Sequence, residues 1–167
     1  SRLYVVSRSI HAAAQLGLTN HMSSKPMHVN ALAAATGTKP ELLNRLLKFL
    51  ASYAIFEAEN DSYSLNELSN PLRDDDPYSV RAILCMVDDN WWQAFSKLDS
   101  CIKTGKSAFF NQHGDDFFNL LSQSPEKQKN FDKGMAKLSH YDDDSICRAY
   151  DFGTLTELVD LGGGLGG

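Results

Sequence analysis

The first segment of the chain carries apolar residues on most sides of one predicted helix. Residues 3–17 (LYVVSRSIHAAAQLG) have their apolar positions at Leu3, Val5, Val6, Ile10, Ala13, Ala14 and Leu16. Gly17 predicts the end of this helix, because glycine readily adopts the left-handed conformation that closes many helices. A helix this apolar needs cover on most sides, from its own core or from a second protein chain.

The next segment predicts two helices separated by a tight turn. Asn30 is placed to cap a helix over 31–36, which Gly37 would end. Thr38 and Glu41 then have the spacing of a capping box, which predicts the start of a second helix.

The second of these helices has a leucine face, and a hairpin follows it. The apolar positions recur at helical spacing, at Leu42, Leu43, Leu46, Leu47 and Leu50. The stretch AIFEAENDSYSL predicts two short strands joined at Asn60 and Asp61. Helix, turn, helix and hairpin in this order is the pattern of a winged helix.

The second half of the chain returns to helical patterns. One helix is predicted from about residue 79 to residue 101 and carries Trp91 and Trp92, which point in different directions because they are adjacent. A short helix is predicted over 115–121 and a long one over 124–150, where Ser-Pro-Glu gives a favourable start. These segments predict a mainly helical protein.

Residues 157–167, ELVDLGGGLGG, predict a buried strand that leads into a glycine loop. The glycines fit two spacings: Gly162, Gly164 and Gly167 fit the GxGxxG of dinucleotide sites, and Gly162, Gly164 and Gly166 fit the GxGxG of S-adenosylmethionine (SAM) sites. Asp160 favours the second, because a carboxylate repels the pyrophosphate of a dinucleotide and attracts the sulfonium and ammonium groups of SAM. The loop therefore predicts a SAM site.

The charge distribution supports one competing interpretation. The chain has 167 residues and a net charge of −5, but its first 56 residues carry six basic residues and one acidic residue. This favours a winged-helix DNA-binding transcription regulator. Against it, the polar face of the second predicted helix offers only Asn44, Arg45 and Lys48, and the hairpin tip ENDSY is acidic, which phosphates disfavour. We therefore expect no specific nucleic-acid partner.

Cysteine usage and hydropathy bear on the location of the protein. Cys85, Cys101 and Cys147 lack metal-ligand spacing, which predicts free thiols in a reducing cytosol. No apolar run approaches the roughly 20 residues that a membrane-spanning helix needs, and no signal peptide is recognisable. The five histidines show no ligand spacing either. We expect a cytoplasmic protein with no metal site and no membrane partner.

Several motifs, in the right order, resemble one enzyme family. LVDLGGGLGG looks like motif I of the SAM-dependent O-methyltransferases of the plant caffeic-acid and hydroxyindole type, which also have bacterial members. LAAATGTKPELLNRLLKFLASYAIFE resembles the winged-helix dimerisation segment of that family, and YSLNELSNPL resembles its continuation. Residues 91–139 resemble its linker helices, including the stretch that contains Phe131, Gly134, Met135 and Ser139.

The resemblance implies a fold and an assembly. We expect a mainly α protein with a winged-helix dimerisation domain over 1–103 and a helical linker, contributing to the active-site pocket, over 104–152. Residues 153–167 would be the first strand and glycine loop of a truncated Rossmann-like α/β SAM-binding domain. Such a domain needs on the order of 100 residues past its first loop, so we expect the N-terminal part of a longer, homodimeric protein.

The resemblance also assigns residues to the site. SAM would be bound by Asp160, Gly162, Gly164, Gly166, Met135 and Ser139, and the methyl acceptor by Phe131, Trp92, Met86 and Phe109. Phe131 and Met135 lie on an apolar helix face, so core packing is an equally open interpretation.

The implied reaction transfers the SAM methyl group to a hydroxyl of a small, aromatic molecule. The general base of the family is a histidine, which we expect beyond Gly167, so we expect no catalytic residue and no activity in this chain alone. A third interpretation, an NAD-dependent oxidoreductase, rests on GxGxxG alone.

Overall fold

The computed structural model describes residues 2–163, without the side chains of Tyr141 and Asp144. Packing divides the chain into an N-terminal unit, 1–84, and a C-terminal unit, 85–167. Within the described residues, none of the helices is long and apolar enough to cross a bilayer.

The N-terminal unit combines three helices with a small antiparallel sheet, and a further helix begins at its end. Its elements are α1 (Arg2–Gln15), β1 (Met27–His28), α2 (Val29–Thr36), α3 (Pro40–Ala51), β2 (Glu57–Glu59), β3 (Ser62–Ser64) and the start of α4 (Arg81–Met86). The strand order is β1-β3-β2, with Ala58 opposite Tyr63 in the hairpin. The predicted helices and hairpin are confirmed here.

The turns of this unit lie where the sequence places them. Gly17 and Gly37 follow α1 and α2 with φ angles of 62° and 64°, which glycine adopts without a steric cost. Asn60 and Asp61 join β2 to β3, and both have positive φ angles, as the favoured two-residue hairpin turn requires.

The predicted helix caps differ from those observed. The side chain of His28, and not that of Asn30, caps α2 by accepting a hydrogen bond from the Asn30 backbone N–H. The capping box at the start of α3 is wrong, because Lys39 is the N-cap residue and makes no side-chain cap. Thr38 instead hydrogen-bonds Thr36 at 3.0 Å between the hydroxyl oxygens.

The leucine face of α3 supplies much of the core. Leu43, Leu47 and Leu50 are buried with Phe56 and Tyr63 from the hairpin, whereas Leu42 is 57% exposed. The face is therefore narrower than the pattern predicted.

The apolar character of α1 is only partly used inside its own unit. Its inner side is buried at Val6, Ala13 and Ala14. Its other sides expose Leu3, Tyr4 and Val5, and Leu16 is exposed just after the helix ends. The described part of the chain leaves much of this apolar surface accessible to solvent.

The C-terminal unit is helical. Its elements are α5 (Asp89–Phe95), α6 (Leu98–Thr104), α7 (Ala108–His113), α8 (Phe117–Ser122) and α9 (Pro125–Ala149). The predicted short and long helices are confirmed as α8 and α9. The single helix predicted over 79–101 is wrong: this segment contains α4, α5 and most of α6, because the Asp88 side chain caps a new helix start.

Candidate functional site

Aromatic side chains from four helices of the C-terminal unit form one cluster. The ring of Phe117 in α8 lies 5.3 Å from Trp91 in α5, 5.7 Å from Phe109 in α7 and 5.3 Å from Phe131 in α9, measured between centroids. All three pairs are steeply inclined, which the charge distribution of aromatic rings favours. Phe118 adds a further edge-on contact to Phe131. Phe109 and Phe131, two predicted acceptor residues, are thus joined through Phe117.

Asp88 fixes the start of α5 and ties it to α9. One carboxylate oxygen accepts hydrogen bonds from the backbone N–H groups of Asn90, at 2.9 Å, and Trp91, at 3.3 Å. The other lies 2.7 Å from the ammonium group of Lys127, in the first turns of α9. This one side chain therefore helps to hold Trp91 beside the residues that α9 contributes.

Gly134 allows the backbone of α9 to approach Met86 closely. A β-carbon at residue 134 would lie 2.5 Å from Sδ, 2.7 Å from Cβ and 2.8 Å from Cγ of Met86. Contacts this short do not occur between such atoms, so a side chain at residue 134 would force Met86 or the helix backbone to shift. Met86, a predicted acceptor residue, is thereby held against α9, the helix that carries Phe131.

Two ring nitrogen atoms are buried near this cluster. The indole Nε1 of Trp92, another predicted acceptor residue, is inaccessible to solvent. The ring of His113, at the end of α7, lies 4.7 Å from Phe109. Its Nε2 is buried and has no hydrogen-bond partner among the residues that the structure describes. The aromatic cluster thus has a polar group at its edge.

The two predicted cofactor residues of α9 are accessible. Phe131, Met135 and Ser139 follow each other at four-residue spacing, which aligns them along one side of the helix. Phe131 packs into the aromatic cluster, whereas Met135 is 41% exposed and Ser139 is exposed. Core packing therefore explains Phe131 and does not explain Met135.

The predicted strand before the glycine loop is absent, which corrects the sequence analysis. Residues 155–161 have no regular secondary structure, and Leu158, Val159 and Leu161 are 71%, 69% and 91% exposed. A strand needs partner strands for its backbone hydrogen bonds and for cover. The described part of the chain offers this segment none.

In the described part of the glycine loop, the backbone conformation of Gly162 favours glycine, and Gly163 lies close to one side chain. Gly162 has a φ angle of 83°, in the left-handed region. A β-carbon on Gly163 would collide with the carboxylate of Asp160, which folds back over the loop. Asp160 itself is exposed. Gly164 and Gly166 lie outside the described residues.

The polar face of α3 is occupied by contacts within its own unit. Asp61, in the hairpin turn, pairs with Lys48 at 2.7 Å and accepts a hydrogen bond from the Asn44 amide at 2.9 Å. The Tyr63 hydroxyl donates to the Asn44 side-chain oxygen at 2.6 Å. Two of the three polar side chains that could read DNA are therefore bound to the hairpin.

Two family models match the chain. The O-methyltransferase dimerisation domain matches residues 1–74, and the O-methyltransferase domain matches residues 95–167. The chain belongs to the O-methyltransferase family. The predicted resemblance is confirmed.

Relatives of this O-methyltransferase chain act on different atoms. It is 30% identical to the phenazine O-methyltransferase PhzM of Lysobacter antibioticus, over 98% of the chain and 48% of that protein. It is 32% identical to an 8-amino-8-demethylriboflavin N,N-dimethyltransferase of Streptomyces davaonensis, over 94% of the chain and 46% of that protein. The chain therefore spans about half the length of the curated relatives it matches.

A solved structure shows the same fold over nearly the whole chain. This O-methyltransferase of neocarzinostatin biosynthesis was solved in complex with SAM and 2-hydroxy-5-methyl naphthoic acid. It is 28% identical to the present chain and superposes with a TM-score of 0.78. The match covers 94% of the present chain and 49% of that protein. The mainly helical fold with a small sheet is therefore one that O-methyltransferases use.

Several residues of the candidate site were not predicted from the sequence. Phe117 occurs in the pair DDFFN, where an acidic N-cap before two aromatics signals a helix start with apolar side chains. Asp88 precedes DNWW and carries the same signal. No local signal identifies Gly134 as a contact of Met86 or His113 as a buried polar group, because both properties depend on distant packing.

Proposed function

We propose that the whole protein is a SAM-dependent methyltransferase that methylates a hydroxyl of a small aromatic molecule. The observation that carries the proposal is the aromatic cluster around Phe117, whose phenylalanines all lie in the part of the chain matched by the O-methyltransferase domain. Flat aromatic acceptors pack well against such rings. A hydroxyl acceptor is preferred over an amine because both matching family models are O-methyltransferase models.

The glycine loop fits SAM by its chemistry. The left-handed Gly162 and the close approach at Gly163 leave backbone, and not side chains, at the surface of the loop. The exposed Asp160 carboxylate complements a cationic ligand. We assign cofactor binding to Asp160, Gly162, Gly164 and Gly166 of this segment, with Met135 and Ser139 of α9 as proposed contacts. When bound, SAM supplies the methyl group.

The residues of the C-terminal unit would hold and orient the acceptor. Phe109 and Phe131 present aromatic surface, and Met86 is fixed by its contact with Gly134. Trp92 completes the proposed acceptor set. Enclosing the acceptor in this apolar surface would keep water from the methyl transfer and fix the direction of attack.

The N-terminal unit would join two copies of the protein. The dimerisation-domain match over 1–74 supports a homodimer. We place the contact on the exposed apolar side of α1, because this surface needs cover. We propose that the helix, turn, helix and hairpin of this unit form a winged helix and that this arrangement serves assembly. The occupied polar face of α3 disfavours DNA reading.

Other parts of the interpretation stay predictions. They are the domain boundaries at 103/104 and 152/153, the cytoplasmic location, and the absence of nucleic-acid and membrane partners.

Methyl transfer by the whole protein tests the proposal. We expect label from methyl-labelled SAM to appear in the methyl ethers of aromatic hydroxyl compounds, in a panel that pairs each hydroxyl compound with its amine counterpart. Transfer to the amines alone would contradict the hydroxyl assignment. Binding of NAD without SAM would contradict the enzyme class.

A further inference from the structure

We infer that His113 is the hydrogen-bonding anchor for a hydroxyl group of the aromatic acceptor. The inference rests on the proposed function, since it names a specificity-determining residue for that reaction. Its Nε2 is buried and has no hydrogen-bond partner among the described residues. A buried polar nitrogen without a partner destabilises the folded protein, and native structures keep few such groups.

The surroundings of His113 explain why a ligand is the fitting partner. The imidazole lies 4.7 Å from Phe109, whose ring lies 5.7 Å from Phe117 at the centre of the aromatic cluster. The α7 helix that carries His113 is also linked to α5 by a hydrogen bond of 3.2 Å from Gln112 to Gln93. His113 therefore offers a polar atom beside a largely apolar surface, the usual composition of a small-molecule site.

The chemistry of imidazole selects the hydroxyl group. In a neutral imidazole, Nε2 either donates or accepts a hydrogen bond, depending on the tautomer. A hydroxyl both donates and accepts, so it satisfies Nε2 in either case, whereas a hydrocarbon edge satisfies it in neither. A site that holds a buried hydrogen-bonding group rejects ligands without the matching group. His113 would thus select hydroxylated aromatic molecules over their hydrocarbon counterparts.

Binding of a matched ligand pair to the whole protein tests this inference. The probes are 2-naphthol and naphthalene, which share one ring system and differ by one hydroxyl, measured by equilibrium dialysis. We expect 2-naphthol to bind roughly fivefold to tenfold more tightly, the ratio that one hydrogen bond of ordinary net strength provides. His113→Phe keeps a ring in place and should reduce this ratio to about one.

Two further variants separate recognition from structure. His113→Gln keeps a hydrogen-bonding amide and should retain part of the preference for 2-naphthol. His21→Phe makes the same change at an exposed histidine of the N-terminal unit and should leave the ratio unchanged. The melting temperature of His113→Phe without ligand should equal or exceed that of the wild type, because the unpaired polar atom is gone.

The outcomes are distinct. If the wild type fails to bind 2-naphthol, or binds it no more tightly than naphthalene, the inference is wrong. It is also wrong if His113→Phe retains the preference, or if both His113 variants melt well below the wild type, since His113 would then be structural. SAM binding should persist in every variant. A wild type that does not bind SAM contradicts the proposed function instead.

Discussion

At the scale of single residues, Gly134 of α9 matters because it has no side chain at a position where α9 packs against Met86. Gly134 is buried, and the Met86 side chain fills the space that a β-carbon would occupy. In an ordinary helix interior, replacing glycine by alanine stabilises by about 1 kcal/mol. Here the collision with Met86 opposes that gain. The sign of the net change in the free energy of unfolding shows which of the two effects is larger.

Gly134→Ala should destabilise the protein. Overpacking of this kind costs about 1–3 kcal/mol and helix propensity returns about 1 kcal/mol, so we expect the free energy of unfolding to fall by up to roughly 2 kcal/mol. Urea denaturation measures it. Asn130→Ala, at an exposed position of the same helix, is the control and should cost little.

A second substitution identifies the colliding side chain. Met86→Ala removes the Sδ and Cγ atoms that a β-carbon at residue 134 would meet at 2.5 Å and 2.8 Å. In that background Gly134→Ala should cost less, by about 0.5 kcal/mol or more. Cβ of residue 86, at 2.7 Å, remains in this variant, so an equal cost in both backgrounds would mean that the Sδ and Cγ atoms of Met86 do not create the constraint.

The sequence identified candidate site residues more readily than it identified the residues that they contact in the folded protein. The family resemblance singled out Phe131, Gly134 and Met135 as a motif, but gave no partner for Gly134. Met86 is 48 positions earlier in the chain, and only the packed helices bring the two together. His113 was dismissed as a metal ligand, and its burial depends on α7, a helix that the sequence analysis did not predict.

At the scale of elements, one exposed carboxylate fastens the hairpin to α3. The hydrogen bond from Lys48, followed by that from Asn44, holds the pKa of Asp61 below its ordinary value. The same contact raises the pKa of Lys48. Asp61 therefore stabilises the fold while it is charged, at pH values above its ordinary pKa of about 4.

Asp61→Asn should lower the melting temperature at pH 7, and this difference should disappear in acid. A lowered pKa contributes stability that is lost as the pH falls from about 4 through the folded-state value. Thermal melts of both proteins between pH 2 and 7 measure the difference.

Glu67→Gln is the matched control for this prediction, since it removes an exposed carboxylate outside the cluster. Glu67→Gln should change the melting temperature at pH 7 less than Asp61→Asn does. A difference between Asp61→Asn and the wild type that stays constant down to pH 2 would show that the charge of Asp61 is not its cause.

Elements with their own end signals were predictable, and those that depend on partners were not. The glycines after α1 and α2 and the Asn-Asp turn of the hairpin fixed those boundaries locally. The segment 79–101 looked continuous by periodicity, but Asp88 starts a new helix within it. The predicted strand at 157–161 had the right alternation, yet a strand forms only beside other strands.

At the scale of the whole molecule, the exposed side of α1 is proposed to join two copies of the protein. Val5 borders a groove of about 430 Å³ that Phe49 and Tyr53 also line. Val5 and Leu3 are 49% and 72% exposed in the single chain. Such apolar surface favours association.

Val5→Glu should convert the dimer into a monomer. A charge buried without a partner at an interface costs about 3–5 kcal/mol, so the dimer should weaken at least roughly a hundredfold. Light scattering at micromolar concentration measures the mass. Ala35→Glu, at an exposed position of α2, should remain dimeric, and a dimeric Val5→Glu would place the interface elsewhere.

The 167-residue chain and the whole protein should differ in how tightly they bind SAM. Residues 155–161 have no strand partners within the described chain, so this segment must form its strand when a ligand binds next to it. Ordering costs roughly 1–2 kcal/mol per residue, which a few hydrogen bonds of about 1 kcal/mol each do not offset. The 167-residue chain alone should therefore bind SAM weakly or not at all.

Calorimetric titration of the whole protein with SAM tests the central claim most directly. We predict saturable binding of one SAM per chain, no binding of NAD, and loss of SAM binding in Gly164→Val, because a side chain there would occupy the space of the cofactor. Ala35→Val, on the exposed side of α2, should bind SAM like the wild type. Uptake of NAD with no response to SAM would contradict the methyltransferase assignment.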